Sequence, residues 1–196
     1  MFDTHVTRYN KYPDPASYHQ PPGLIDSLRT LYYRLKYRME IGSFSKICRR
    51  VDIRITKGGI LKIGSHATIA DYTFIQLTRP SPRVSIGNHT VIGRNCVIAS
   101  KTELIIGNYV LIGPYCQIND HSHGMSRSDL IINQKAVLSS VLIKDDVWLG
   151  SGVRVMPGII IGTGAIVGAN SVVTKDVADY EIWAGNPARF IRSRDE

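Results

Sequence analysis

Fifteen apolar residues in this chain keep a six-residue clock, and few folds accept one. Ile143, Leu149, Val155, Ile161, Val167 and Val173 follow each other at strict intervals of six. Three shorter runs keep the same interval: Ile63, Ile69 and Ile75, then Ile86, Ile92 and Ile98, then Ile106, Ile112 and Ile118. A helix repeats about every 3.6 residues and a half-buried strand every second one, so neither produces this pattern. A short period sustained this long marks a solenoid in which each hexad is one short strand and a turn.

Two further columns keep the same time. The residue just after a mark is often Gly or Ala, as at Gly64, Gly87, Gly107 and Gly150, and glycine there predicts a tight corner with unusual backbone angles. The residue four after a mark is always small or β-branched, from Ala67, Thr73 and Thr90 to Cys116, Ser171 and Val177. It lies two places before the next mark, so alternation along a strand puts it on the same inward face. Three hexads make one triangular coil, and coils stack about 4.8 Å apart like neighbouring strands. Fifteen marks predict roughly five coils. The interior column, at about 1.5–3 kcal/mol per buried aliphatic side chain, opposes the entropy of ordering the chain.

The clock divides the chain. Residues 1–52 form an N-terminal segment, irregular over 1–23 with its four prolines. Within it Leu24, Leu28, Leu31, Leu35 and Met39 recur at helical spacing, with Arg29, Arg34, Lys36 and Arg38 between them. This predicts a basic amphipathic helix near 24–40, which either caps the open lower end of the solenoid or rests on an anionic membrane. The repeat occupies 53–178 and a tail 179–196. Insertions break the clock at 76–85, at 100–105 and, longest, at 119–136. Loops hung on a rigid scaffold are where function usually sits.

At 196 residues this is one domain's worth of chain. Three cysteines make no disulfide framework and suit a reducing cytoplasm, Cys96 and Cys116 falling in the small inward column. The polar first twenty residues do not read as a signal peptide, and no apolar run approaches the roughly 20 residues of a membrane span. The net charge of +8 suits an anionic partner. No nucleic-acid-binding motif accompanies it, so nucleic acid is not expected.

Four segments carry a resemblance: Asp146-Val-Trp-Leu-Gly150, Pro157-Gly-Ile-Ile-Ile-Gly162, Val167-Gly-Ala-Asn-Ser-Val-Val-Thr-Lys-Asp176 and Ala184-Gly-Asn-Pro-Ala-Arg189. Over about 60–192 the chain resembles the hexapeptide-repeat acyltransferases, left-handed parallel β-helices that trimerise. Within them it is most similar to galactoside and maltose O-acetyltransferases and to the O-acetyltransferases of capsule, exopolysaccharide and O-antigen synthesis. The left hand comes from the resemblance, since crossovers in general prefer the right. The helical N-terminal domain that supplies acceptor contacts in the sugar enzymes has no match in 1–60.

Acyl transfer from a thioester to a hydroxyl needs a base, and histidine titrates near neutrality. Asp120-His121-Ser122-His123 opens the long loop and matches the family's catalytic loop, which implies His121 as the general base. His123 is the second candidate, and Asp120 orients an imidazole or partners His123. Asn95 matches an active-site asparagine of the sugar enzymes, or is a polar corner residue. By resemblance, Ser151, Ala169 and Thr174 contact the pantetheine arm of acetyl-CoA, while Lys175, Arg189 and Arg192 meet its phosphates. The alternative for the last three is a solvated basic tail. Trp148 faces outward, as trimer interface or cofactor wall. A zinc pair at the histidines is the competing chemistry. Carbonic anhydrases on this fold space their close pair five apart, and His66 and His89 fall on outward corners, so no metal is expected.

The resemblance thus implies a cytoplasmic homotrimeric O-acetyltransferase using acetyl-CoA on a sugar or nucleotide-sugar hydroxyl for surface polysaccharide. N-acetylation of an amino sugar, a serine or xenobiotic acetyltransferase, and a non-catalytic scaffold are its rivals.

Overall fold

Each hexad builds one strand and one turn, and three consecutive hexads close a triangle. In the computed structural model, which describes residues 21–195, three parallel sheets form the faces of a prism. The first face stacks the strands ending at Ile41, Ile63, Ile86, Ile106, Ile143 and Ile161. The second stacks those ending at Ile47, Ile69, Ile92, Ile112, Leu149 and Val167. The third stacks Asp52–Ile55, Phe74–Leu77, Val97–Ser100, Gln117–Asn119, Arg154–Val155 and Val172–Val173. Marks align from coil to coil, as Ile63 with Ile86 and Ile112 with Leu149. The result is a left-handed parallel β-helix of six coils. Its first coil, on Ile41, Ile47 and Ile53, begins at Glu40 and so lies earlier than the anticipated start at residue 53.

Both inward columns are buried. The small column has Thr73, Thr90, Cys96 and Cys116 in the core, and each donates to the carbonyl of the glycine one coil above: Thr73 to Gly93, Thr90 to Gly107, Cys96 to Gly113 and Cys116 to Gly150. At these four positions a carbonyl meets each polar atom that enters the core.

The corners correct one expectation. The glycines after the marks are not the left-handed positions. Those lie three residues after a mark wherever the next hexad follows directly, as at Phe44, His66, His89, Tyr109, Asn95, Asp146 and Asn170, all with φ between 56° and 59°. The glycines serve close approach instead: a Cβ on Gly64 would lie 2.7 Å from the backbone N of Asn88 in the next coil. Along one corner the left-handed residues stack as Phe44–His66–His89–Tyr109, with ring centroids 5.1, 4.7 and 5.0 Å apart. Packing of aromatic faces opposes the strain of their backbone conformation.

Helix α1 (Leu24–Tyr37) ends where Arg38 turns left-handed at φ 52°, dropping Met39 into the core. It crosses the lower end of the prism, but with its polar face inward. Arg29 donates to Ile47 O, Thr30 Oγ1 accepts from Ile47 N at 3.2 Å, Tyr33 donates to Val51 O and Arg34 to Ile41 O. These bonds satisfy the open edge of the first coil, which the leucines cannot do. The leucine face, anticipated as the covering side, points outward. The reading of residues 1–20 as irregular falls outside the described residues.

At the upper end the tail forms a hairpin, Glu181–Gly185 with Ala188–Ser193, which joins the second face by pairing Ile166 with Ile182. Trp183 and Ala188 pack on the core.

Candidate active site

The long insertion is a built arm. His121–Ser122 pairs antiparallel with Val137–Leu138, and a 3-10 turn, Ile131–Asn133, sits at its tip. Gln134 ties the arm together, accepting from Ser126 N and donating to Ser126 O and Asp129 O, each at 2.8 Å. The tip leaves Met125, Leu130, Ile131 and Ile132 exposed, Ile132 to 86%.

At the root of the arm Asp120 is wholly buried. Its Oδ2 accepts from Ser100 Oγ at 2.6 Å and Thr102 N at 2.9 Å, and its Oδ1 accepts from Lys101 N at 2.8 Å. The small insertion at 100–105 supplies all three donors, so that break in the clock is a cradle for one carboxylate. His121 Nδ1 lies 3.0 Å from Asp120 Oδ1. A carboxylate oxygen only accepts, so Nδ1 is the donor to Asp120, and in the neutral imidazole this leaves Nε2 as the acceptor. A partly exposed imidazole oriented in this way can take a proton from a bound hydroxyl.

Asn119, the residue before this couple, which sequence reasoning passed over, holds Oδ1 buried with no hydrogen-bond donor among the described residues. Its only sequence signal was its place before Asp-His. His123 is exposed, its carbonyl accepting a long bond from Ser122 Oγ, and makes no contact with Asp120. Asn95 stands at the corner between the second and third faces, with N–H to Asp71 O. It lies roughly 15–20 Å from His121 by strand rise, and one chain does not bring them together.

The second face carries a groove of about 540 Å³ lined by Leu111, Trp148, Ser151, Ile166 and Ala169. Outward residues Val91, Leu111, Trp148, Ile166 and Ile182 align in register, giving an apolar strip up the prism. Arg192 pairs with Ile182 at its upper end, and Arg189 pairs with Ala184 two positions along the same hairpin. Thr174 and Lys175 are exposed beyond Val173, at the corner between the third and first faces, not in this groove. Among the described residues no three His, Cys, Asp or Glu side chains converge as a metal site. No helix among them is long and apolar enough to cross a membrane.

Residues 140–175 match the family described as Bacterial transferase hexapeptide (six repeats). Those hexads, and the fold they build, are similar to those of hexapeptide-repeat acetyltransferases. Two hexapeptide relatives are a protein named "Probable macrolide acetyltransferase" from Lysinibacillus sphaericus, 39% identical over 56% of this chain, and the galactoside O-acetyltransferase of Lactococcus lactis, 36% identical over 56%. The chain spans 62% and 52% of their respective lengths. Among solved structures it is similar to a hexapeptide-repeat acetyltransferase of Vibrio cholerae O1 biovar eltor in complex with acetyl-coenzyme A. That likeness has a TM-score of 0.66 at 25% identity, covering 100% of this chain and 94% of that one. The matched hexads 140–175 are the upper coils, which supply Trp148, Ser151, Ile166 and Ala169 to the groove.

Proposed function

We propose that this hexapeptide protein transfers an acetyl group from acetyl-CoA to a hydroxyl, most simply that of a sugar or nucleotide-sugar in surface polysaccharide synthesis. The observation that carries the reading is the Asp120–His121 couple, with Nδ1 held at 3.0 Å and the remaining carboxylate contacts filled. Nε2 of His121 takes the acceptor's proton as its oxygen attacks the thioester carbonyl, then passes it to the leaving thiolate. Asp120 keeps the tautomer. No cysteine or serine intermediate is required.

The apolar strip at Trp148 suits a pantetheine arm, with Arg189 and Arg192 near its upper end for phosphates. Groove and histidine lie on different corners of one prism, so the reading requires a second copy to bring them together. The exposed tip at Leu130, Ile131 and Ile132 gives that neighbour an apolar contact, which supports a trimer. A hydroxyl on a macrolide or similar xenobiotic is the second reading, favoured by the relative from Lysinibacillus sphaericus.

Thiol release from acetyl-CoA across sugars, nucleotide-sugars, macrolides and chloramphenicol tests both. His121→Ala should lower turnover by about 10²–10⁴-fold with CoA binding retained. Unchanged turnover overturns the mechanism. Light scattering should give three times the 21.8 kDa chain mass. A monomer with full activity overturns the shared site.

A further inference from the structure

Helix α1 is inverted relative to the usual packing of an amphipathic helix, and its outward ridge has no partner among the described residues. Leu24, Ile25, Leu28, Leu31, Tyr32 and Leu35 form one helical face, with Leu24 77% and Leu35 70% exposed. Asp26, Arg29, Thr30, Tyr33 and Tyr37 form the other, turned to the prism. The bonds from that face reach Ile41, Ile47 and Val51 in turn, so the helix lies flat across the triangular base. Its leucine ridge, about 21 Å long, therefore runs parallel to the end plane of the molecule.

The same end holds nearly all the excess charge. Residues 21–62 contain ten Lys and Arg against three Asp and Glu, which accounts for +7 of the chain's +8. Arg38, Arg49, Arg50, Arg54 and Lys57 are exposed around the base. Lys36 Nζ is held over the Tyr32 and Tyr37 rings at 5.4 and 4.9 Å, and Phe44 is exposed at a corner of the first coil.

We infer that this end of the prism docks on an anionic phospholipid surface, α1 lying in the interface with its leucines among the acyl chains. A convex ridge fits a deformable apolar phase, whereas peptide partners dock into grooves. The surrounding cations complement anionic headgroups, and Tyr32 and Phe44 suit the headgroup boundary. A second copy pairing through the same end would set two strongly positive surfaces face to face.

Flotation of the full-length protein with phosphatidylcholine vesicles, with and without phosphatidylglycerol, tests the inference and needs no substrate, so its failure is separate from failure of the transferase reading. The protein should float only with the anionic vesicles and should be released by salt. Leu28→Glu with Leu35→Glu should weaken binding by roughly tenfold or more at unchanged melting temperature, both side chains being exposed. Arg49→Glu with Arg54→Glu, on the prism itself, should weaken it independently of the helix. No flotation, equal flotation with neutral vesicles, or binding unaffected by both double variants overturns the inference. So does a doubled mass in solution that the leucine variant abolishes.

Discussion

His121 Nδ1 lies 3.0 Å from Oδ1 of Asp120, the residue immediately before it, and that carboxylate is otherwise held by donors from a single two-residue insertion and the serine that precedes it. Neighbours in sequence normally point to opposite sides of a strand. Here one is buried and the other reaches back to it from the rim.

Asp120→Asn keeps the shape but turns one acceptor into a donor facing donors. Turnover should fall at least tenfold with the KM for acetyl-CoA unchanged, and stability by about 1–3 kcal/mol from the unmatched buried group. Steady-state kinetics and thermal melting together check this. A stability loss without a kcat loss would make Asp120 structural only.

Gly64→Ala should cost about 1–3 kcal/mol, because the new methyl meets backbone of the next coil at 2.7 Å. Gly58→Ala, at φ +88° with open space around it, should lose only about 1–2 kcal/mol through conformation. Melting temperatures of the two variants separate close approach from backbone strain.

Position after a mark was readable from the sequence, but its cause was not. Glycine is favoured both where φ is positive and where two chains crowd, and composition alone does not distinguish them. The hexad marks and the small column were legible because burial filters every coil in the same way. The first coil carries Ile41, Ile47 and Ile53 on the same clock, hidden by the basic residues between them. The face of α1 turned inward was not legible, because what the lower end needs is donors and acceptors for an open backbone edge. At the site, His121 stood out by its loop, whereas Ser100, Lys101 and Thr102 act mainly through backbone N–H groups, and a peptide group leaves no letter in a sequence.

Cys48 and Cys96 should be inert, and Cys116, whose thiol the contact with Cys96 pulls down, is shut away by burial. Burial, then the charges of Asp26 and Asp71, pushes the Cys48 thiol up, and its bond with Cys116 together with burial pushes Cys96 up. Both are therefore protonated at neutral pH and poor nucleophiles. Iodoacetamide should modify the folded protein at least tenfold more slowly than the unfolded one and leave transferase activity intact. Rapid loss of activity would implicate a thiol in the chemistry.

Asp179 links the tail to the upper coils. The hydrogen bond from Lys144 Nζ at 3.1 Å, then that from Thr163 N at 2.8 Å, holds its carboxyl below the ordinary range. Such a group stabilises the fold above its unfolded pKa, and the contribution is lost as pH falls through its lower folded value. Asp179→Asn should flatten the acid limb of the melting curve, slightly, since the pair is exposed to solvent. Parallel limbs for the two proteins would show that the pair contributes nothing.

The top of the prism shows how its edges are used up. Asp176 Oδ1 accepts from Ile160 N, Val177 N donates to Ile160 O, Gly162 N donates to Val177 O, and the antiparallel hairpin closes the second face above Val167. A parallel stack with bare termini is a template on which another chain can continue the ladder. With polar side chains meeting the lower terminus and a reversed strand over the second face of the upper one, these edges are closed to growth into a filament by coil-on-coil addition.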